Sequence, residues 1–462
     1  MPIAATVDAA ERTPGEGRDM IDCNLQLSEV DRGRQIHVMV DALPHGGEAR
    51  RLLPPSVRRQ LAALSERGQR LAEDGSGESE AVRFGRELFD LIFDGEGRQV
   101  YERARVQEGP LRLVVKLGES PELHRVAWEL LHDGSRFLAS DPRSAVVRYL
   151  EQARPVARLE VEPPLRVLVT MANPGDREPL DLRAEEMAIR LAHAEAGERV
   201  ELQVERSVCL ETLESLWRQA SRNGAPFHVW HHCGHGAATP GEGRFELSLE
   251  KDGHSEPATV AQISGIAGYC PELRLAIFSV CLGASLLGPA PALARLDVPA
   301  LIGFPRQVED AVAIKFAAAL HQLLATLPLE LAVSLARRYL KIVAPEPLEW
   351  SQPLLFSRRR DSGPLLASKS QMAPREDGAR QQAPDLDISI KGGRIGKIGT
   401  LGGRGGGPMP RVRIRQEDVE VAEIGLVGFE STGLLSANER RAGEERLLRL
   451  TRSLDAYLAA MH

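Results

Sequence analysis

The chain has 462 residues, 43% of them hydrophobic, which suffices for two or three domains and a sizeable buried core. A net charge of -7, with no Lys/Arg tract interleaved with aromatics, argues against nucleic acid as a direct ligand. The opening "MPIAATVDAAERTPGEGRD" lacks a basic head and an apolar core, and no later stretch is apolar for long enough to span a bilayer, so the expectation is a cytoplasmic protein without membrane contact.

The five cysteines, Cys23, Cys209, Cys233, Cys270 and Cys281, are scattered and form no CxxC pair. Neither a disulfide framework nor a cysteine-rich zinc module is indicated, and reduced thiols are expected.

Residues 1–18 read as a disordered tail, and 19–104 as an N-terminal α+β region. Within and just beyond it, "RQIHVMVDAL", "LRLVVKL" and "SAVVRYL" have strand character, while Phe84, Leu88, Leu91 and Ile92 recur at helical spacing. After "EPPL" the pattern becomes regular. Strands at 165–171, 200–205, 227–232, 273–280 and 298–304 alternate with helices near 182–195, 210–222 and 259–267, and helices at 309–325 and 329–342 follow. Short apolar strands alternating with helices predict crossover connections and a mostly parallel sheet flanked by helices, an α/β fold. Residues 362–385 are polar and aperiodic, a linker, and 386–462 read as a small module of glycine-rich strands closed by an amphipathic helix carrying Leu447, Leu450, Leu454 and Leu458. "GGRIGKIG" within it lacks the Gly-Lys-Ser/Thr ending and the strand-to-helix setting of a phosphate loop.

Two strand ends carry chemistry. The strand 227–232 runs into Cys233-Gly234-His235-Gly236, and the strand 273–280 into Cys281-Leu282-Gly283-Ala284-Ser285. In an open parallel sheet, functional groups collect past the carboxyl ends of adjacent strands. If these two are neighbours, His235 and Cys281 face one crevice, and the glycines allow a tight turn with bare N–H groups near a ligand. An imidazole, a thiol and free N–H donors are the parts of acyl transfer by a cysteine nucleophile.

Strand-Gly-His-Gly followed by strand-Cys-x-Gly-x-Ser resembles the CHAT domain of the caspase and separase superfamily of cysteine proteases. "VAWELLHDGSRFLASDPRSAVVRYL" (126–150), "VPALIGFPRQVEDAVAIKF" (298–316) and "EWSQPLLFSRR" (349–359) resemble further segments of that family, so the likeness covers roughly residues 105–360, and the protease domain is expected over 105–361. The resemblance implies a caspase-like sheet and a cysteine endopeptidase needing no cofactor. It makes Cys281 the nucleophile, His235 the general acid/base, and the backbone N–H groups of Gly236 and Cys281 the oxyanion donors. No third side chain is implied for the histidine. Some relatives select basic side chains through an acid two positions before the nucleophile; here that position is Ser279, and Asp310 is the nearby candidate to replace it. Bacterial relatives act in anti-phage defence or cell death, which suggests a protein substrate and an activating or recruiting partner, engaged here through 386–462.

Plainer readings stand beside these. Each of His235 and Cys281 alone reads as a packing residue. Asp310 reads equally as the start of the following helix, and Trp230 as core or pocket wall. Trp128, Trp217 and Trp350 read as core. His231 and His232 read as packing or rim residues, and Cys233 as buried. A zinc site from His231, His232, Cys233 and His235 is disfavoured, because adjacent strand residues point to opposite faces. A CHAT-fold scaffold and thioester chemistry other than proteolysis are the competing functions.

Overall fold

An eleven-stranded sheet runs through the first of the chain's two compact units. The computed structural model describes residues 20–359 except 31–34, 45, 74–76, 119, 151–158, 195–196, 240–243, 281–297, 307 and 345–347, and then 363–366, 386–395 and 412–421.

The N-terminal strands β1 (Ile21–Val30), β2 (Gln35–Ala42) and β3 (Gly47–Leu53) form an antiparallel meander. Their inward positions alternate, with Cys23, Leu25 and Leu27 on β1 and Ile36, Val38 and Val40 on β2, as a strand with one covered face requires. Helices α1 (Pro55–Glu73), α2 (Glu78–Ile92) and α3 (Glu96–Arg105) follow. Gly85 lets α2 lie against the next segment, since a Cβ there would stand 2.0 Å from the Leu130 carbonyl.

β4 (Leu111–Lys116) joins β1 in parallel, and after the short α4 (Pro121–His124) β5 (Ser144–Tyr149) joins β4. The expected N-terminal region is therefore not a separate layer: β1 to β3 extend the same sheet as the strands that follow.

The regular portion of the sequence builds β6 (Leu165–Met171), α5 (Leu182–His193), β7 (Val200–Glu205), α6 (Leu210–Arg222) and β8 (Val229–Cys233). An antiparallel meander of β9 (His235–Thr239), β10 (Arg244–Lys251) and β11 (His254–Thr259), which the sequence reading did not anticipate, stands apart from the large sheet. Then come α7 (Val260–Ala267), β12 (Leu275–Ser279), β13 (Ala300–Gly303), α8 (Asp310–Leu324), α9 (Leu329–Val343) and β14 (Leu354–Ser357). The strand order is β3-β2-β1-β4-β5-β14-β13-β12-β8-β6-β7. From β13 to β7 every pairing is parallel, and β14 is antiparallel to β13. β6, β8 and β12 are buried on both faces, almost without interruption. Trp128, Trp217 and Trp350 are all in the core.

The expected linker begins later than 362. Leu365 and Leu366 are buried, Pro364 bridges to Pro328 and Leu366 to Val161, so 363–366 belong to the core. In the second unit, β15 (Leu386–Ile395) pairs in parallel with β16 (Val412–Val421). The amphipathic helix expected near the C-terminus lies outside the described residues. Among the described residues, no helix is long and apolar enough to cross a membrane.

Candidate active site

β8 and β12 are neighbouring parallel strands, with Ile277 opposite His231 and Ser279 opposite Cys233. The condition on which the His235/Cys281 pairing rested is thus met at the level of the strands: β8 and β12 end side by side at the same sheet edge. Cys281 itself lies outside the described residues, directly after the buried Val280.

Past β8 the chain turns at Gly234, where an added Cβ would come within 2.9 Å of the Ala172 carbonyl and 3.2 Å of His232 Nε2, so glycine alone fits. The Gly234 N–H donates to the Ser279 carbonyl at 3.2 Å, tying the two strand ends together. His235 opens β9, and its Nε2 lies 2.9 Å from the carbonyl oxygen of Glu178. A carbonyl can only accept, so Nε2 carries a proton, and in the neutral ring the lone pair lies on Nδ1. A main-chain carbonyl thus orients the histidine ring.

Beside these turns is a small cavity of about 20 Å³. Leu180, Asp181, Glu185, Ser279, Val280 and Asp310 are among its lining residues. Ser279 and Asp310, both expected near substrate, therefore share one cavity. Asp310 also has its helix-start position at the first turn of α8, and its Oδ2 accepts the Asp181 N–H at 2.9 Å. Asp181 in turn caps α5 through the Ala184 N–H. Trp230 does not reach the cavity. It points to the opposite face of β8, buried against Trp217 and Phe278, and donates its indole N–H to Thr170 Oγ1 at 2.9 Å. Alternation along β8 is the reason: Trp230 and His232 share one face, His231 and Cys233 the other.

That alternation also separates the four residues of the disfavoured zinc reading. His232 bonds Thr170 Oγ1 at 2.9 Å on the Trp230 face, away from His231 and Cys233. His231 is more than packing. Its Nδ1 bonds His321 Nε2 at 2.8 Å, its Nε2 bonds Ser279 Oγ at 2.9 Å, and His321 Nδ1 continues to His193 Nε2 at 2.9 Å. The His231 and His321 rings are stacked, with centroids 5.0 Å apart.

Glu185, from the inner face of α5, completes this layer. Burial pushes its carboxyl up to about 7, a rise partly offset by the nearby Ser279 hydroxyl and Cys233 thiol and reinforced by Asp310. Burial holds His231 down to about 3 and His193 to about 4, keeps His321 well below its ordinary value, and pushes the Cys233 thiol up. The imidazoles and the thiol of this layer are therefore neutral, and the Glu185 carboxyl has no buried cationic partner among the described residues.

Glu185, His193 and His321 escaped the sequence reading. Each sits in an otherwise apolar helical stripe, Glu185 with Ala188, Ile189 and Ala192, His321 within "AAALHQLL". A polar residue on the buried face of an amphipathic helix was the available signal.

A mostly parallel sheet flanked by helices, with a glycine-flanked histidine just past the end of β8 and β12 beside it, defines a caspase-like fold. The chain belongs to the CHAT domain family, which matches residues 82–361 and so begins within α2, earlier than the resemblance at 105 suggested. Among solved structures, it is similar to Saccharomyces cerevisiae separase in complex with securin, at 12% identity and a TM-score of 0.42, covering 73% of this chain and 30% of that one. It is also similar to the Drosophila initiator caspase Dronc, at 8% identity and a TM-score of 0.33, over 47% of this chain and 94% of that one. A secreted C11 cysteine protease from Bacteroides thetaiotaomicron matches at 12% identity and a TM-score of 0.29, over 39% of this chain and 59% of that one. The chain thus spans less than a third of the separase chain it matches. No curated protein matches the sequence.

Proposed function

We propose that the protein is a cysteine endopeptidase in which Cys281 is the nucleophile and His235 the general acid/base. The observation that carries this reading is the parallel pairing of β8 with β12, with His235 Nε2 committed to the Glu178 carbonyl. Nδ1 is then the nitrogen left to exchange a proton with the Cys281 thiol. Sγ of Cys281 attacks the peptide carbonyl, and the backbone N–H groups of Gly236 and Cys281 stabilise the oxyanion. His235 protonates the departing amine. Water then attacks the thioester carbon, giving its proton to His235 and releasing Cys281 and the carboxylic acid. No cofactor enters these steps.

The cavity holding Ser279 and Asp310 receives a substrate side chain in this reading. Ser279 is neutral, so a cationic side chain would find its counter-charge in the Asp310 carboxylate. The substrate is a protein, a partner activates or recruits the enzyme through 386–462, and the setting is bacterial defence or cell death in the cytoplasm. A panel of fluorogenic peptides varied at the residue before the scissile bond, run with and without products of neighbouring genes, tests the proposal. Cleavage lost in Cys281→Ala and in His235→Ala is the expected result, and cleavage that survives Cys281→Ala overturns it.

A further inference from the structure

The cluster beneath the cavity has donors that the peptidase steps do not use. We propose that Glu185, His231 and Cys233 form a zinc site, with the fourth position open toward Ser279 and the cavity.

The donors suit the ion: a carboxylate oxygen, an imidazole nitrogen and a thiolate sulfur are the three ligand types that zinc takes, and harder cations such as magnesium or calcium avoid thiolate. One ligand atom from each residue lies within 4.8 Å of the others, and all three residues are buried. His231 Nε2 and Glu185 Oε1 are 3.6 Å apart, too long for a hydrogen bond and close to the roughly 3.3 Å between two ligands on a tetrahedral zinc with bonds near 2.0–2.1 Å. Glu185 Oε1 has no hydrogen-bond partner although it is buried, and so presents an unused lone pair to this spot. His231 and Cys233 stand two apart on a central strand, and Glu185 faces them from α5, so the platform is stiff and little movement is needed.

The histidine chain supplies what a metal-bound imidazole requires. For His231 Nε2 to present a bare lone pair, Nδ1 must carry the proton and donate it. His321 Nε2 lies 2.8 Å away to accept it, and His321 Nδ1–H can then donate to His193 Nε2 at 2.9 Å. All three rings thereby adopt one consistent tautomer, and His321 orients the ligand from behind. Charge closes as well. One Zn²⁺ enters, the Cys233 thiol and the Glu185 carboxyl each release a proton to solvent, and the site is neutral. Among the described residues no Lys or Arg pairs with Glu185, so nothing else there offsets its charge. The ion links α5 to β8 and fixes the floor of the cavity, with water or the Ser279 hydroxyl in the fourth position.

The test is independent of peptidase activity. The full-length protein is stripped with chelator, reloaded with Zn²⁺ or Co²⁺, and assayed for metal content and absorption. Expected are one equivalent per chain, a tetrahedral Co²⁺ spectrum with a thiolate charge-transfer band, and a higher melting temperature on Zn²⁺ addition. Cys233→Ser removes the charge-transfer band. Glu185→Gln weakens zinc at least tenfold, and His321→Gln weakens it roughly 10–100-fold through the lost support behind the ligand. Cys281→Ala leaves metal content and spectrum unchanged, which separates this site from adventitious binding at the dyad. Substoichiometric metal in the unmutated protein overturns the proposal without recourse to any variant, as does a thiolate band that vanishes with Cys281→Ala and persists in Cys233→Ser.

Discussion

The two halves of the large sheet bury polar side chains in opposite ways. In the N-terminal half the buried groups are charged and paired. Arg148 makes a bidentate pair with Glu129, at 3.0 and 2.6 Å, and also donates to the carbonyls of His124 and Val126. Arg112 bridges Asp22 and Glu330, and Arg337 donates to the Pro353 carbonyl while lying 3.9 Å from Glu129. Behind β8 and β12 the buried groups are imidazoles, a thiol and a carboxyl with no Lys or Arg paired to them among the described residues, and Glu185 Oε1 and His232 Nε2 are among the buried atoms without a partner. A buried ion that is fully paired fixes geometry and has nothing left to offer a ligand. A buried neutral group with an open lone pair does, which is why chemistry is sought at the second half.

The largest effects expected from this contrast are at the strand ends. Cys281→Ala and His235→Ala should each reduce peptide cleavage by roughly a thousandfold or more while leaving the melting temperature nearly unchanged, since neither substitution removes a buried charge. Activity and thermal unfolding measured on the same samples check both statements. A collapse in melting temperature would mean that His235 is holding the fold rather than acting on substrate.

Next in size is the loss of a paired ion. Glu129→Ala leaves Arg148 and Arg337 buried and partly uncompensated, and should cost about 3–5 kcal/mol. His321→Leu in the other half breaks two neutral hydrogen bonds and should cost roughly 1–3 kcal/mol. Urea unfolding of the two variants compares them directly. Equal losses would erase the distinction between the halves.

The parallel half was legible because strands covered on both faces read as predominantly apolar runs, as "LRVLVTM" and "LAIFS" do. β1 and β3 were not, since a strand with one face toward solvent can carry as many charges as "GEARRLL" does. The site was legible as far as its glycines: Gly234 and Gly236 mark the turn around His235. What supports it from beneath was hidden, because Glu185 meets His231 and Cys233 only once α5 is laid across β8, and no local pattern encodes that contact. Trp230 was left open between core and pocket wall, and strand alternation, already applied to the histidines beside it, assigns it to the core face.

The boundary of the core can be tested by two truncations that differ by five residues. A chain ending at Ser362 lacks Leu365 and Leu366, both buried, whereas one ending at Ala367 keeps them. The shorter should be less stable by roughly 2–5 kcal/mol, the range for removing large buried aliphatic side chains. Both lack everything beyond 367, so their difference in denaturant midpoint reports on 363–367 alone. Equal midpoints would return this segment to the linker.

The smallest effect concerns the cysteines away from the strand ends. Cys209 is the N-cap of α6: its sulfur accepts the Thr212 N–H at 3.4 Å and lies 3.1 Å from Thr212 Oγ1. Serine is a better cap than cysteine, because oxygen accepts a shorter and stronger bond, so Cys209→Ser should change stability by less than about 0.5 kcal/mol or raise it slightly. Cys270 is buried beside Trp217, with its thiol 3.7 Å from the Trp217 carbonyl. Serine keeps that donor there, and a small loss of about 1 kcal/mol is expected from placing a hydroxyl in an apolar setting. Neither residue lines the cavity, so peptide cleavage should be unchanged in both. Cys209 is half-buried and Cys23, Cys233 and Cys270 are buried. In the Cys209→Ser protein, rapid labelling by a thiol reagent should therefore report on Cys281. A labelled peptide mapping elsewhere, or a loss of cleavage in Cys209→Ser, would show that the reactive thiol is not the one at the end of β12.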